Sequence, residues 1–350
     1  MTKHIHGGDV YKYKDCLDFS ANLNPLGTPE RVKQAIIRSL DHIAQYPQAG
    51  CSLLREKIAE YEGVKEEEIV CGNGAAEVIF TLCRAVNPKR ALIPAPTFAE
   101  YGQALASMGC ELEYYMLTEN DGFVLGDSYL DILHKGLDIA FLCNPNNPTG
   151  MLIPHRLLKK ILEKCRKLEI LLVVDECFLD FVKEPQEYSL KRSLSGFNNL
   201  FILKAFTKRY AMAGVRLGYG LCSNRKLLEK MELCVQPWNV STMAQAAGIQ
   251  ALEETEYVEK GRQLVFQEAQ WLKEEMTRIG YQVFPSEANY IFFKGPEELF
   301  DFCLRKRILI RDCSNYPGLK KGYYRVAVKR HEENIRLIEV LEGGILWQKQ

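Results

Sequence analysis

In Ile170-Leu171-Leu172-Val173-Val174-Asp175-Glu176-Cys177-Phe178 a continuous apolar run ends abruptly on two carboxylates. The run does not alternate, which is the pattern of a strand covered on both faces, as in a parallel sheet flanked by helices. A carboxylate at the end of such a strand needs a partner. A salt bridge to an arginine would serve Asp175, and so would a buried protonated nitrogen. Comparable runs stand at 91–94, 139–143 and 200–203. Helical patterns are interleaved with them. One is opened by Thr28-Pro29 and runs through Ile43, one is capped by Ser52 and runs through Tyr61, and one covers 154–168. The alternation defines an α/β chain.

Beyond Trp238 the texture changes. Residues 242–279 form an almost unbroken stretch of helix formers, followed by candidate strands at 281–284, 290–293 and 323–328 with helices at 296–306 and 331–341 between them. That is α+β texture. The expected organisation is an irregular arm over 1–30 lying across the junction, a large parallel-sheet domain over 31–240 and a smaller α+β domain over 241–350.

Composition narrows the class. The 350 residues are 47% hydrophobic and 26% charged, and 45 Lys+Arg balance 45 Asp+Glu. A chain of this length buries a large core without disulfide or metal staples. The charge balance argues against a nucleic-acid binder, and no apolar run approaches the ~20 residues that span a bilayer. The start lacks the apolar core of a signal peptide, so a cytoplasmic enzyme is expected. The 12 cysteines include no C-x-x-C and no zinc-type spacing, and read as reduced core thiols.

Four segments carry polar groups that an apolar core would not hold. Each follows a strand or turn, where open α/β sheets bind ligands. Val70-Cys71-Gly72-Asn73-Gly74-Ala75-Ala76-Glu77 runs into an apolar helix and suits a phosphate, although an ordinary strand–turn–helix would read the same way. Asn144-Pro145-Asn146-Asn147-Pro148-Thr149-Gly150 leaves the backbone little freedom. Asp175 is the third. The fourth, Ala205-Phe206-Thr207-Lys208-Arg209-Tyr210, sets Lys208 among small and apolar residues after a strand, and Arg216 follows eight residues on. A desolvated lysine has a lowered pKa and acts as a Schiff-base nucleophile. A phosphate cradle, a rigid Asn, a buried Asp and a buried Lys are together what pyridoxal 5′-phosphate requires.

With these residues in this order, essentially the whole chain strongly resembles the fold-type I aminotransferase family. His6-Gly7-Gly8, Asp18-Phe19-Ser20-Ala21-Asn22-Leu23-Asn24-Pro25-Leu26-Gly27 and Ile310-Arg311-Asp312-Cys313-Ser314-Asn315 look most like its branch that decarboxylates an O-phospho amino acid in cobamide (vitamin B12) biosynthesis. The resemblance implies the pyridoxal-phosphate-dependent fold type I, with a mainly parallel seven-stranded sheet in the large domain, and a homodimer. It implies that Lys208 carries the cofactor, Asp175 pairs with the ring nitrogen and Asn147 donates to the ring oxygen. Phe98 would stack on the ring, and Gly74, Ala75, Thr207 and Arg216 would hold the cofactor phosphate. Tyr46 would reach that phosphate from the neighbouring subunit. Arg325 would take the substrate carboxylate and Arg311 the substrate phosphate, with His6 and Asn24. Two departures stand out. Phe178 occupies a position where many members have a Tyr that donates to the ring oxygen, and Ala205 one that often bears a phosphate-binding hydroxyl.

The implied reaction is decarboxylation of L-threonine O-3-phosphate. The alternatives are transamination of a phosphorylated amino acid such as histidinol phosphate, and decarboxylation of serine phosphate. The expected partner is a small phosphorylated amino acid, with no nucleic acid, membrane or metal. A ligand-sensing regulator on this fold would need an added helix-turn-helix module, and the 350 residues are filled by the enzyme.

Overall fold

The computed structural model describes residues 7–348. Its central feature is a seven-stranded sheet, ordered in space Ile69–Gly72, Gly218–Leu221, Leu200–Ala205, Leu171–Asp175, Ile139–Cys143, Arg90–Ala95 and Glu111–Met116. Only Gly218–Leu221 runs against its neighbours, so the sheet is mainly parallel. The continuous apolar runs are its middle strands. Leu172 and Val174 pack into one core and Val173 into another, so both faces are covered, as the absence of alternation predicted. Helix His155–Leu168 covers one face through Leu157, Leu158, Ile161, Leu162 and Cys165, spaced one helical turn apart. Helices Ala75–Val86, Ala99–Ser107 and Arg225–Cys234 cover the other.

A second, four-stranded antiparallel sheet is ordered Arg311–Asp312, Tyr323–Ala327, Tyr290–Lys294 and Gln282–Val283. It packs against helices Thr255–Arg278 and His331–Gln348. The N-terminal segment ties the two sheets together. Leu17–Asp18 pairs in parallel with Ile308–Leu309, the Ala327 N–H donates to the Phe19 carbonyl at 2.8 Å, and the Asn24 N–H donates to the Lys208 carbonyl at 3.0 Å. Among the described residues no helix is long and apolar enough to cross a membrane. All 12 cysteines are free.

Several local readings need correction. Helix Glu30–Ser39 starts behind Pro29 without a side-chain cap, because the Thr28 hydroxyl donates to the Ala211 carbonyl at 2.7 Å instead. Ser52 is the first residue of its helix and not its cap; Cys51, at φ 57°, precedes it. The stretch 242–279 is two helices, Thr242–Leu252 and Thr255–Arg278. Arg31 holds the corner between them, 3.0 Å from Glu253 and 3.4 Å from Glu254. Strand Glu111–Met116 lies at the edge of the large sheet with a polar, partly exposed sequence that carried no strand signal.

Candidate active site

A cavity of ≈ 260 Å³ opens at the carboxyl ends of the parallel strands. One wall is built by the turn after strand Ile69–Gly72. Gly74 has φ +82°, and a Cβ there would lie 2.5 Å from Nη2 of Arg216. A Cβ on Gly218 would lie 2.3 Å from the Ala75 amide nitrogen. Only glycine at both positions lets a helix N-terminus and a guanidinium converge this closely. Ala75 and Ala76, in the first turn of helix Ala75–Val86, line the cavity with Thr207 and Arg216. Free N–H groups, a hydroxyl and a cation make an oxyanion cradle.

Asp175 ends the central strand and is buried. Its Oδ1 accepts the Cys177 N–H at 2.9 Å and its Oδ2 accepts the Tyr101 hydroxyl at 2.5 Å. Burial pushes its carboxyl above the usual range, against those donors and the more distant Lys208. Lys208 sits in the short helix Phe206–Arg209, with Nζ 5.7 Å from the centre of the Phe178 ring. Its side chain lines the cavity. Burial first, and the Arg325 charge second, lower its ammonium to about 8.

The three asparagines of the 144–150 loop divide their tasks. Asn144 holds Tyr188 and Ile153, and Asn146 holds Thr97, Pro96 and Thr149. Asn147 alone lines the cavity, where its Oδ1 accepts Nη1 of Arg325 and leaves its N–H2 as a donor. Phe98 lines the same cavity with its ring edge-on to Tyr101, centroids 5.4 Å apart.

The sequence placed Arg311 and Arg325 on either side of a turn. The structure sets them directly opposite each other in register, on antiparallel strands Arg311–Asp312 and Tyr323–Ala327. Both are only 5% exposed. Arg311 lies over the Tyr316 ring at 5.3 Å and donates to Asn315 Oδ1 at 3.0 Å. Arg325 donates to the Ser20 carbonyl at 2.7 Å, and its Nε has no partner among the described residues. Like charges directly opposite on paired strands repel, and both here are desolvated. A bound anion offsets that cost.

Other expected residues fall elsewhere. Asn24 is not in the cavity: its N–H2 donates to the Arg209 carbonyl at 2.9 Å and its Oδ1 accepts the Leu26 N–H, so it anchors the Lys208 segment. Tyr46 is 78% exposed and stacks on Trp238 at 4.3 Å, outside this cavity. His6 lies outside the described residues. Asn22 was missed. It is buried, lines the cavity beside Ser20 and Arg325, and its Oδ1 has no partner among the described residues. Strand alternation would put Asn22 and Asn24 on one face, but the Leu23 N–H donates to the Ala21 carbonyl at 3.2 Å and turns the chain between them, so Asn22 lines the cavity and Asn24 does not. Glu100 and Tyr101 were hidden in an ordinary helix pattern.

Residues 14–341 match the sequence profile of the class I and II aminotransferases, and the chain belongs to that family. Its members use pyridoxal 5′-phosphate in fold type I. The residues present fit that cofactor: the glycine-gated cradle suits its phosphate, buried Asp175 its ring nitrogen and Lys208 its carbonyl carbon. The chain is 41% identical over 365 residues to threonine-phosphate decarboxylase of Salmonella typhimurium, covering 98% of this chain and 97% of the relative. It is 31% identical over 338 residues to histidinol-phosphate aminotransferase of Methanococcus aeolicus, covering 94% and 90%. The crystal structure of histidinol-phosphate aminotransferase from Clostridium acetobutylicum matches with a TM-score of 0.87 at 30% identity, covering 93% of this chain and 98% of that one.

Proposed function

We propose that this chain decarboxylates L-threonine O-3-phosphate, releasing CO₂ and (R)-1-aminopropan-2-yl phosphate. The observation that carries the reading is the opposed pair Arg311 and Arg325, buried in a cavity that already has a cation, Arg216, at the cofactor cradle. A phosphorylated amino acid brings two anionic ends, one for each arginine. Histidinol phosphate has no carboxylate, so Arg325 would have a different role in its transamination. The similarity to threonine-phosphate decarboxylase points the same way.

When bound, pyridoxal phosphate supplies an electron sink for the pair left behind by the departing CO₂. Asp175 holds the proton on the ring nitrogen. Asn147 donates to the ring oxygen without help from residue 178, because Phe178 has no hydroxyl. Arg325 and Asn22 would orient the carboxylate and Arg311 would hold the phosphate, so that the bond to the carboxylate is the one presented for cleavage. Lys208 Nζ then delivers a proton to Cα. In this reading the cofactor is held by a unit over 31–240 and the substrate arginines by one over 241–350.

The test is incubation with threonine phosphate in the absence of any keto acid. CO₂ and the amino alcohol phosphate are expected in equal amounts. Turnover that requires a keto acid and releases no CO₂ would make the protein a transaminase. Serine phosphate, lacking one methyl contact, is expected to react with a kcat/KM lower by roughly tenfold.

We further infer a homodimer in the cytoplasm. Tyr46 and Trp238 stack on each other at the surface, away from their own cavity, where a second copy would use Tyr46 at its cofactor phosphate. Mixed Tyr46→Phe and Lys208→Ala subunits should then exceed the mean activity of the two parents, because one site of each heterodimer carries neither change. No gain after verified subunit exchange would rule out a shared site.

A further inference from the structure

Asp175 raises a problem that its own strand does not solve. A carboxylate that holds a ring nitrogen proton must stay anionic, yet this one is buried and makes no salt bridge within 4.0 Å among the described residues. The groups facing it are Tyr101 from helix Ala99–Ser107, Cys143 from the neighbouring strand, Cys177 from the following turn, Tyr290 from the second sheet and Lys208 across the cavity. All but Lys208 are neutral, so the anion depends on neutral donors. The shortest of those bonds comes from the Tyr101 hydroxyl, 2.5 Å from Oδ2.

Tyr101 is held to deliver that bond. Its side chain is fully buried, lies flat on Phe141 with centroids 4.9 Å apart and an interplanar angle of 19°, and meets the edge of Phe98 at 5.4 Å. Phe141 belongs to the central sheet and Phe98 to the cavity wall. The phenol therefore has little freedom to turn away from Asp175.

We propose that Tyr101 is a positioning residue for the reaction: its hydroxyl fixes the Asp175 carboxylate in orientation and keeps it the weaker base, so that the proton stays on the cofactor's ring nitrogen. The proposal rests on Asp175 being the ring-nitrogen partner. Without the phenol, Asp175 gains proton affinity and draws the proton toward itself. The ring becomes less electron-withdrawing, and the linkage to Lys208 holds its own proton to higher pH.

The reconstituted protein tests this through the pH midpoint of its visible absorbance band. Tyr101→Phe should move the midpoint up by roughly half a unit or more and lower kcat about tenfold, with KM changed less than about threefold. 3,5-Difluorotyrosine at position 101 keeps the packing but donates more strongly, and should move the midpoint down. Both shifts should vanish with a cofactor analogue that has carbon in place of the ring nitrogen. Should Tyr101→Phe fail to fold, the fluorinated protein and the carbon analogue decide the matter. Shifts in the same direction, no shift, or shifts that persist with the carbon analogue would reduce Tyr101 to packing and overturn the proposal. An unchanged midpoint in Asp175→Asn would overturn the reading of Asp175 itself, and this inference with it.

Discussion

Lys208→Ala is expected to reduce turnover to background, and borohydride treatment of the unmodified holoprotein to fix the cofactor to Lys208 and to no other lysine. The expectation follows from its surroundings. Burial, then Arg325, then Arg216 disfavour its ammonium and bring it from 10.5 to about 8, although Glu100 and Cys177 pull the other way. At neutral pH a useful fraction of the amine is therefore free to attack. Uptake of the cofactor by the apoprotein should accelerate as pH rises through about 8 and level off above it. The same shift affects stability. The unfolded chain binds the proton up to 10.5 and the folded chain only to about 8, so folding is penalised below 8 and the penalty fades between the two values. The difference, 10.5 − 8 = 2.5, corresponds to about 3 kcal/mol before screening by water in the open cavity reduces it. Apoprotein carrying Lys208→Met should melt above the unmodified apoprotein at pH 7, with the gap closing near pH 10. Labelling of another lysine would displace the site, and an unmodified apoprotein that is the more stable one at pH 7 would refute the desolvation account.

The parts of this site that a sequence displays are those whose chemistry contradicts their surroundings. Asp175 and Lys208 stand out because a charge at the end of an apolar strand is improbable without a purpose. Asn147 stands out because its turn is over-constrained by two prolines. Tyr101 carries no such contradiction: an aromatic on the inner face of helix Ala99–Ser107 looks like core, and most of its ring is core. Its function lies in one hydroxyl whose direction only packing determines. Asn22 and Asn24 show a related limit. Both are amides two residues apart, which strand alternation would put on one face, and it is the turn closed by the Leu23 N–H on the Ala21 carbonyl that separates them. At fold level the same logic holds. The central strands were readable because both faces are buried, whereas Glu111–Met116 was not, because an edge strand is free to be polar. The break at Glu253 and Glu254 was invisible since both residues favour helix, and the ion pairs that Arg31 makes at the corner come from a distant part of the chain.

Arg311→Lys is expected to lower kcat/KM for threonine phosphate by at least about tenfold while leaving unphosphorylated threonine a poor substrate for both proteins. The charge is conserved, so the loss must come from geometry. The Arg311 guanidinium lies over the Tyr316 ring, donates to Asn315 and lines the cavity, where a guanidinium can offer a phosphate two parallel N–H groups. A lysine offers a point charge on a flexible stem and neither stacks nor donates bidentately. The register with Arg325 adds a second consideration. In the proposed reaction Arg325 holds the substrate carboxylate, yet a grip that is too firm would oppose its departure as neutral CO₂. Binding energy taken at the remote phosphate positions the scissile bond without stabilising the group that leaves, and such energy appears in kcat as well as in KM. Arg311→Lys should therefore lower kcat along with affinity, whereas a residue that only recruited substrate would change KM alone. The decisive comparison is kcat and KM for threonine phosphate and for threonine, measured in both proteins. If the unmodified enzyme turns over free threonine as well as its phosphate, Arg311 has no phosphate to recognise, and the assignment of a phosphorylated amino acid falls with it.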